Sequence, residues 1–253
     1  MFIIDAPIEE IIELENQIML CKLFAPEIAK SVKPGQFVNI KVSETIAPLL
    51  RRPFSVCDVE GSFIYIMFNV LGEGTKLLAH KFKGETINVL GPLGRGFNFD
   101  GNFETAVIAA GGLGAAPFAF LVKQLSKDKK ILCFVGGRTS RDVIDYGMKD
   151  VIPSTDDGSL GFKGNVVELM NDNLDLLENK RLKIFACGPT PMLRALKEFS
   201  LKNNFECEVS TECAMACGFG ICQGCPIPSS EDADKNYLVC KDGPVFNVKD
   251  IIL

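Results

Sequence analysis

The chain has 253 residues, of which 47% are hydrophobic and 23% charged, and its formal net charge is −5. This length is too great for one small core and short for three full-sized domains, so it predicts two domains and a compact appendage. Lysine and arginine are scattered along the chain, which argues against a nucleic-acid or anionic-membrane surface. The acidic segment 1–15 lacks the positive region of a secretory signal. Glycines and a proline interrupt the uncharged run 105–122, which disfavours a membrane span there.

Residues 1–99 have the pattern of many short strands. Hydrophobic and polar side chains alternate in several segments, and Pro34-Gly35 marks a turn between two of them. These segments are residues 9–23, 36–42, 53–59 and 62–70. Short strands separated by proline and glycine predict an antiparallel β-barrel.

Residues 100–205 change to an alternation of strands and helices. Strands are predicted at residues 105–109, 130–135 and 182–187, and helices at residues 116–127, after Gly136-Gly137 and at residues 191–201. This alternation predicts a doubly wound parallel α/β sheet. Ligands of such sheets bind at the carboxyl ends of the strands, which here carry Gly111-Gly112, Gly136-Gly137 and Cys187-Gly188-Pro189.

The third part, residues 206–253, has little periodicity and contains a cluster of cysteines. Cys217, Cys222, Cys225 and Cys240 follow the spacing C-x4-C-x2-C…C, the plant-type pattern for a [2Fe–2S] cluster. The glycines between them lack Cβ atoms and so would let backbone N–H groups approach the sulfurs. A structural zinc site is the alternative, although zinc motifs usually pair C-x2-C units and the single histidine lies far away in sequence.

The other cysteines are interpreted as packing residues. Five of the ten stand singly and mostly among apolar neighbours, which is typical of small buried hydrophobic residues: Cys21, Cys57, Cys133, Cys187 and Cys207. Cys213, close to the cluster motif, is interpreted as a bystander. Because the chain is too large for a disulfide-stapled secreted scaffold, the cysteine content predicts a reducing, cytoplasmic location.

Two motifs in the barrel region are candidates for flavin binding. The planar guanidinium in Arg52-Pro53-Phe54-Ser55 can pair with a pyrophosphate, and the serine hydroxyl can address the edge of a flavin ring. Gly72-Glu73-Gly74-Thr75 is a glycine-rich turn that opens a helix, whose first amides would meet phosphate. A surface arginine beside a turn and an ordinary capped helix are the respective alternatives.

Two further motifs lie where a nucleotide would bind. Gly111-Gly112-Leu113-Gly114 follows the first strand of the α/β region but departs from the fingerprint G-x-G-x-x-G. An ordinary tight turn without a bound nucleotide is therefore the alternative interpretation. Cys187-Gly188-Pro189 would bring a thiol to the place where a nicotinamide meets a flavin, unless the cysteine is buried and structural. Arg138 or Arg141 could meet a 2′-phosphate, so the residues alone leave NAD and NADP open.

No catalytic acid–base pair stands out in the sequence. His80 is interpreted as a helix residue without a catalytic role, and Glu9-Glu10 and Asp156-Asp157 as solvated charges. Nicotinamide carries two electrons as hydride, whereas an iron–sulfur cluster accepts one at a time, so a flavin must stand between them. The absence of catalytic residues therefore fits an electron relay.

Several motifs occur in the order found in the ferredoxin–NADP reductase superfamily. They are Pro34-Gly35-Gln36-Phe37, Arg52-Pro53-Phe54-Ser55, Gly72-Glu73-Gly74-Thr75, Gly91-Pro92-Leu93-Gly94, Gly111-Gly112-Leu113-Gly114 and Cys187-Gly188-Pro189. With the four clustered cysteines, the whole chain resembles the family of electron-transfer subunits of class 1B dihydroorotate dehydrogenase. The added Cys213 and the polar segment 232–236 depart from that pattern.

The resemblance implies an FAD barrel at residues 1–99, an NAD domain at 100–205 and a [2Fe–2S] domain at 206–253. It implies FAD contacts from Arg52, Pro53, Phe54, Ser55, Gly74 and Thr75. It also implies a partner in pyrimidine biosynthesis, an FMN-containing catalytic subunit with a TIM-barrel fold, in a heterotetramer of two chains each. In that assembly dihydroorotate reduces FMN, and electrons pass through the cluster and FAD to NAD⁺.

Two alternatives remain at this point. The first is the flavin subunit of a soluble hydrogenase, sulfide dehydrogenase or NADH-dependent ferredoxin–NADP transhydrogenase, which share this architecture. In the transhydrogenase subunit an aspartate replaces one cluster cysteine, so four cysteines disfavour it. The second is a zinc-stapled binding module without redox chemistry.

Overall fold

The computed structural model describes residues 1–125, 127–177 and 181–253, and its first part is a closed barrel of six strands. The strands are β1 (Phe2–Glu13), β2 (Ile18–Phe24), β3 (Phe37–Lys41), β4 (Arg52–Glu60), β5 (Phe63–Asn69) and β6 (Thr86–Leu93). Their order around the barrel is β1-β2-β5-β4-β3-β6, and every neighbouring pair is antiparallel. The predicted antiparallel barrel is confirmed.

Alternation along the strands fills the interior of the barrel. Val38 and Ile40 of β3, Val56 of β4 and Ile64 and Ile66 of β5 are all 0% exposed and belong to one core cluster. Successive side chains of a strand point to opposite faces, so the residues between them lie on the outer face of the barrel. That outer face on β3 and β6 packs against the rest of the chain rather than against solvent.

The second part is a seven-stranded sheet. The remaining strands are β7 (Thr105–Gly111), β8 (Lys130–Gly137), β9 (Val151–Thr155), β10 (Phe162–Lys163), β11 (Leu182–Cys187), β12 (Glu206–Ser210), β13 (Pro226–Pro228), β14 (Asn236–Leu238) and β15 (Val245–Asn247). The sheet has the order β10-β9-β8-β7-β11-β12-β15 and is parallel except for the last strand. The central strands β7 and β11 are buried almost throughout, as a sheet covered on both faces requires.

The α-helices in the described residues are short and flank the sheet or close the barrel. They are α1 (Pro26–Ser31), α2 (Glu73–Ala79), α3 (Phe118–Leu125), α4 (Val166–Asp172) and α5 (Thr190–Lys202). The helices predicted at residues 116–127 and 191–201 correspond to α3 and α5. Residue 126, inside the first prediction, lies outside the described residues.

The helix predicted after Gly136-Gly137 does not follow these glycines directly. The helix between them and β11 is α4, which begins only at Val166. Only one 3-10 turn, Ser140–Asp142, lies between β8 and β9 in this fully described stretch. The Asp142 carboxylate accepts hydrogen bonds from the Thr139 N–H and hydroxyl at 3.1 and 3.2 Å, which closes the turn on itself. Further on, Gly147 has a φ of 73° and lies against Ala119 of α3, so the chain turns there in close contact with that helix.

The cysteine-rich segment is an excursion from the sheet. The chain leaves the sheet at the end of β12, forms the small β13–β14 hairpin and returns as β15, which pairs antiparallel with β12. Residues 206–210 were expected in the third domain, yet they form a sheet strand beside β11 because Cys207 and Val209 complete the core. No helix in the described part of the chain is long and apolar enough to cross a membrane.

Candidate functional site

A cavity of about 350 Å³ lies between the barrel and the other two parts of the chain. Its lining includes all six residues predicted to contact FAD: Arg52, Pro53, Phe54, Ser55, Gly74 and Thr75. The structure therefore brings the two separate flavin motifs to one place. Their contact with FAD itself stays a prediction.

Local structure explains how the two motifs meet. Arg52 begins β4, and a Cβ added at Gly74 in the first turn of α2 would lie 2.9 Å from the Arg52 Nε. The guanidinium thus lies against the start of the helix, and a larger residue at position 74 would displace it. The Thr75 hydroxyl accepts hydrogen bonds from the Leu71 and Gly72 N–H groups at 3.0 and 3.1 Å, which fixes the turn before α2.

The opposite wall of this cavity comes from the α/β region and the cysteine-rich segment. It includes Leu113, Pro117, Thr211, Glu212, Cys213 and Met215. Cys213, interpreted as a bystander in the sequence, is half-buried there and packs against the hydrophobic cluster that contains Cys225, one of the cluster cysteines. The cavity is therefore bounded by all three parts of the chain.

A second cavity of about 450 Å³ lies at the carboxyl ends of β7, β8 and β11. Gly111, Gly112 and Pro189 line it, together with Gly136 and Gly137. This is the edge of the sheet where ligands of doubly wound folds bind. The second cavity shares Asn69 and Leu113 with the first, so a nucleotide in one would adjoin a flavin in the other.

Two of the predicted nucleotide residues are buried beneath the cavity. Cys187 is 1% exposed, and burial raises the pKa of its thiol above the ordinary range. Gly114 packs against the same strand end, because a Cβ there would lie 2.4 Å from the Cys187 carbonyl oxygen. Gly188, by contrast, lines a third cavity beside Pro189. Burial favours the structural interpretation of the Cys187 thiol.

Acidic residues dominate the outer end of the second cavity. Arg138 lines it but pairs with Asp142, with 3.4 Å between Nη2 and Oδ1. Asp156, interpreted from the sequence as a solvated charge, is exposed and also lines this cavity. Sequence reasoning missed it, although an acidic residue after a strand of a nucleotide-binding sheet is a known signal for a ribose hydroxyl.

The four predicted cluster cysteines form two pairs. The Cys225 and Cys240 sulfurs lie 3.2 Å apart and are buried. Cys217 and Cys222 form the second pair, in which the Cys222 N–H points at the Cys217 sulfur at 3.5 Å and Cys222 is exposed. A [2Fe–2S] cluster needs four thiolates shared between two irons, so two pairs of thiols suit it. In the described residues, no three His, Cys, Asp or Glu side chains are gathered closely enough to hold a metal ion by themselves.

The cluster loop directs backbone N–H groups at sulfur. Burial acts to raise the pKa of Cys217, but hydrogen bonds from the backbone of Cys222 and Phe219 outweigh it and lower the pKa to about 6. Gly218 and Gly220 have φ values of 80° and 91°, in the left-handed region that favours glycine. A thiolate is the form that binds metal, so this loop is already adapted to ligation.

The structure adds one residue that no motif indicated. Asn39 of β3 is 0% exposed, and its Nδ2 donates to the Cys217 carbonyl oxygen at 3.2 Å. Seen in sequence, Asn39 is merely a polar position in an alternating strand, which predicts solvent exposure. Its burial follows from the packing of the cluster loop on the barrel.

Comparisons with known proteins agree with this geometry. Residues 212–252 match the family model of the iron–sulfur cluster binding domain of dihydroorotate dehydrogenase B. Among solved structures, NADH-dependent reduced ferredoxin–NADP oxidoreductase is similar with a TM-score of 0.83 and 27% identity, over 98% of this chain and 90% of that chain. A ferredoxin–NADP⁺ reductase from Neisseria gonorrhoeae with bound FAD and NADP shares the fold, with a TM-score of 0.64 and 16% identity over 79% of this chain and 91% of that chain.

Two curated relatives carry the same name. The electron-transfer subunit of dihydroorotate dehydrogenase B (NAD(+)) from Desulforamulus reducens is 38% identical over 88% of this chain and 87% of its own length. The subunit of the same name from Bacillus velezensis is 36% identical over 95% of both chains. The chain therefore belongs to the family of electron-transfer subunits of NAD(+)-dependent dihydroorotate dehydrogenase B.

Proposed function

We propose that this chain carries electrons between a dihydroorotate-oxidising catalytic subunit and NAD⁺. The observation that carries the proposal is the position of the first cavity, which adjoins the nucleotide cavity through Asn69 and Leu113 and the cluster segment through Cys213. A flavin there would have a two-electron partner on one side and a one-electron partner on the other. That arrangement is what a relay between hydride and single electrons needs.

The chain's own residues would hold the groups as follows. Arg52 would neutralise the pyrophosphate of FAD, and Ser55 and the Phe54 backbone would contact the ring system. Gly111, Gly112 and Pro189 would leave space for NAD at the sheet edge, while Gly114 and Cys187 support that edge from below. When bound, FAD exchanges hydride with nicotinamide and single electrons with the cluster.

The cluster would be held by Cys217, Cys222, Cys225 and Cys240. Their two-pair arrangement supports a binuclear cluster, and the donors around Cys217 support its thiolate form. With these assignments we propose a flavin barrel at residues 1–99, a nucleotide domain at 100–205 and a cluster domain that begins near residue 206. The sheet strand Glu206–Ser210 would then serve as the junction between the last two.

The partner is proposed to be an FMN-containing catalytic subunit with a TIM-barrel fold, in an assembly of two chains each. The exposed cluster loop supports an exit for electrons on this side of the molecule. Cys222 is exposed, and its neighbours Ile221 and Phe219 are 76% and 39% exposed although both are large and apolar. Apolar side chains around a redox group suit a surface that another protein covers. All ten cysteines lack a disulfide bond, which supports a reducing, cytoplasmic location.

Co-expression with candidate FMN subunits tests the proposal. The complex is expected to contain FAD, FMN and a [2Fe–2S] cluster and to reduce NAD⁺ with dihydroorotate. The isolated chain is expected to show flavin absorption, bound iron and NADH oxidation with an artificial acceptor. A complex that transfers electrons from NADH only to ferredoxin, or a colourless chain with bound zinc, would refute the proposal.

A further inference from the structure

Asn39 lies in the interface between the flavin barrel and the cluster segment. Its neighbours Val38 and Ile40 point into the barrel core, so Asn39 points outward, on the same face as Phe37. Phe37, Leu90 and Leu93 on this outer face belong to one hydrophobic cluster with the cluster cysteines Cys225 and Cys240. Asn39 is therefore a buried amide inside an otherwise apolar contact.

The cluster loop rests directly on this amide. The Asn39 Nδ2 donates to the Cys217 carbonyl oxygen at 3.2 Å. A Cβ added at Gly218 would lie 2.3 Å from the same nitrogen and 3.7 Å from Leu93 Cδ1. The loop can reach its position only with a glycine at 218, and the contact with Asn39 is then close enough to set the orientation of the Cys217–Gly218 peptide.

Burying the Asn39 amide in this apolar contact is unfavourable for folding. The Asn39 Oδ1 is buried and has no hydrogen-bond partner within the residues the structure describes. Burying a polar atom without a partner is unfavourable, so an apolar residue of the same shape would pack here more favourably. The hydrogen bond to Cys217 is the property that an apolar residue would lack.

The same residue is adjacent to the flavin cavity. Asn39 is the cross-strand partner of Pro53, which lines that cavity, and Phe37 two residues earlier lines it as well. In addition, the Arg51 guanidinium donates to the Asn39 backbone oxygen at 3.2 Å, which fixes β3 at this point. One strand position thus contacts a cluster ligand through its side chain and the flavin wall through its backbone.

We propose that Asn39 is a positioning residue that fixes the cluster loop, and with it the cluster, relative to the flavin. This rests on the proposed function only in that the four cysteines hold a [2Fe–2S] cluster and the first cavity holds FAD. In a trans peptide the carbonyl and the N–H point in opposite directions. By holding the Cys217 carbonyl oxygen, Asn39 points the Gly218 N–H away from the barrel. It thereby fixes the start of the loop in which the Cys222 N–H points at the Cys217 sulfur at 3.5 Å.

The test compares N39L with N88L in the full chain loaded with FAD and the cluster. Leucine keeps the approximate shape of asparagine and removes the donor. Asn88, on the neighbouring strand β6, is the control for the strand itself. Its side chain bonds to Asp5 and to Arg51, the residue that holds the Asn39 backbone, but not to the cluster loop. N39S is made in parallel, because it removes the long amide without adding apolar volume.

Three quantities are measured for each variant without any partner subunit. They are the rate at which NADH reduces FAD, the rate at which electrons then reach the cluster, and the EPR spectrum of the reduced cluster. In N39L and N39S the first rate stays within about twofold, whereas cluster reduction slows about tenfold or more and the EPR signal shifts or broadens. N88L leaves all three unchanged.

The inference is overturned if N39L and N39S reduce the cluster at the wild-type rate with an unaltered EPR spectrum. It is also overturned if N88L changes cluster reduction as much as N39L does, because the effect would then come from the Arg51 contact and the barrel strands and not from the Asn39 amide. A wild-type chain that binds neither FAD nor a [2Fe–2S] cluster would refute the proposed function instead. The two failures are therefore distinguishable.

Discussion

Gly114 supports the predicted nucleotide site from beneath, and replacing it with alanine is a sharp test of that role. A Cβ at this position would lie 2.4 Å from the Cys187 carbonyl oxygen, 2.6 Å from its carbon and 2.7 Å from the Gly188 Cα. Ordinary contacts between such atoms are about 3.5–4.0 Å. The end of β11 must therefore move by about 1 Å to accept one methyl group.

The displaced backbone carries Gly188 and Pro189, which line the cavities at the edge of the sheet. Crowding of this kind destabilises a protein by about 1–3 kcal/mol, so the G114A chain stays folded. A shift of about 1 Å at a reacting centre can cost about 100-fold in rate, because hydride transfer depends on the approach of two rings. We expect FAD reduction by NADH to slow by about that factor while FAD and iron contents stay normal.

Anaerobic stopped-flow mixing with NADH measures this rate, and urea unfolding measures the change in stability. G61A is the matched control: Gly61 lies in the turn between β4 and β5, has a φ of 58° and has open space around its Cβ position. G61A should be destabilised by about 1–2 kcal/mol, because alanine is strained in the left-handed conformation. Its rate of FAD reduction by NADH should not change. A folded G114A chain with wild-type NADH kinetics would show that the end of β11 does not position the nucleotide.

Three further changes test other parts of the molecule. C222S removes one cluster ligand, so dihydroorotate-dependent NAD⁺ reduction by the complex should fall to background while NADH oxidation with ferricyanide persists; intact coupling would exclude Cys222 as a ligand. D156S removes a carboxylate that would repel a 2′-phosphate, so kcat/KM for NADPH should rise about tenfold or more. An unchanged preference for NADH would contradict the exclusion of NADPH by Asp156. Lys183 is 1% exposed and pairs with Glu206 and Glu208 at 2.7 and 2.9 Å. K183M leaves these carboxylates without their cation and should lower the free energy of unfolding, measured in urea, by about 3 kcal/mol. A decrease below about 1 kcal/mol would show that water stabilises the two carboxylates as well as Lys183 does.

Motifs with a fixed spacing were the most predictable part of this chain. The cysteine pattern indicated four ligands, and the structure brings Cys225 and Cys240 together across a hairpin although 14 residues separate them in sequence. The strand Leu182–Cys187 was predicted to the residue, because its mainly apolar run, interrupted only by Lys183, ends at the break Gly188-Pro189. Local sequence sufficed wherever the chemistry or the burial was local.

Contacts between distant segments could not be predicted in this way. Asn39 and Gly218 are 179 residues apart in sequence, and no sequence pattern predicts that Gly218 packs against the Asn39 side chain. Residues 206–210 were expected in the cysteine-rich part because the sequence from about Glu206 onward has little periodicity, yet they form a strand that pairs with β11 in the sheet. The helix expected after Gly136-Gly137 begins only at Val166, because the Asp142 side chain closes a short turn after the glycines.

The return of the chain to the sheet as β15 has a consequence for kinetics. Ser210 and Val245 are cross-strand partners, and the Thr211 N–H donates to the Pro244 carbonyl oxygen at 2.9 Å. The first and last residues of the cysteine-rich segment are therefore held next to each other by the sheet. A loop anchored at both ends cannot swing like a domain on a single tether. Passage of charge from the nucleotide side to the iron side should therefore need no large reorientation and should be insensitive to solvent viscosity.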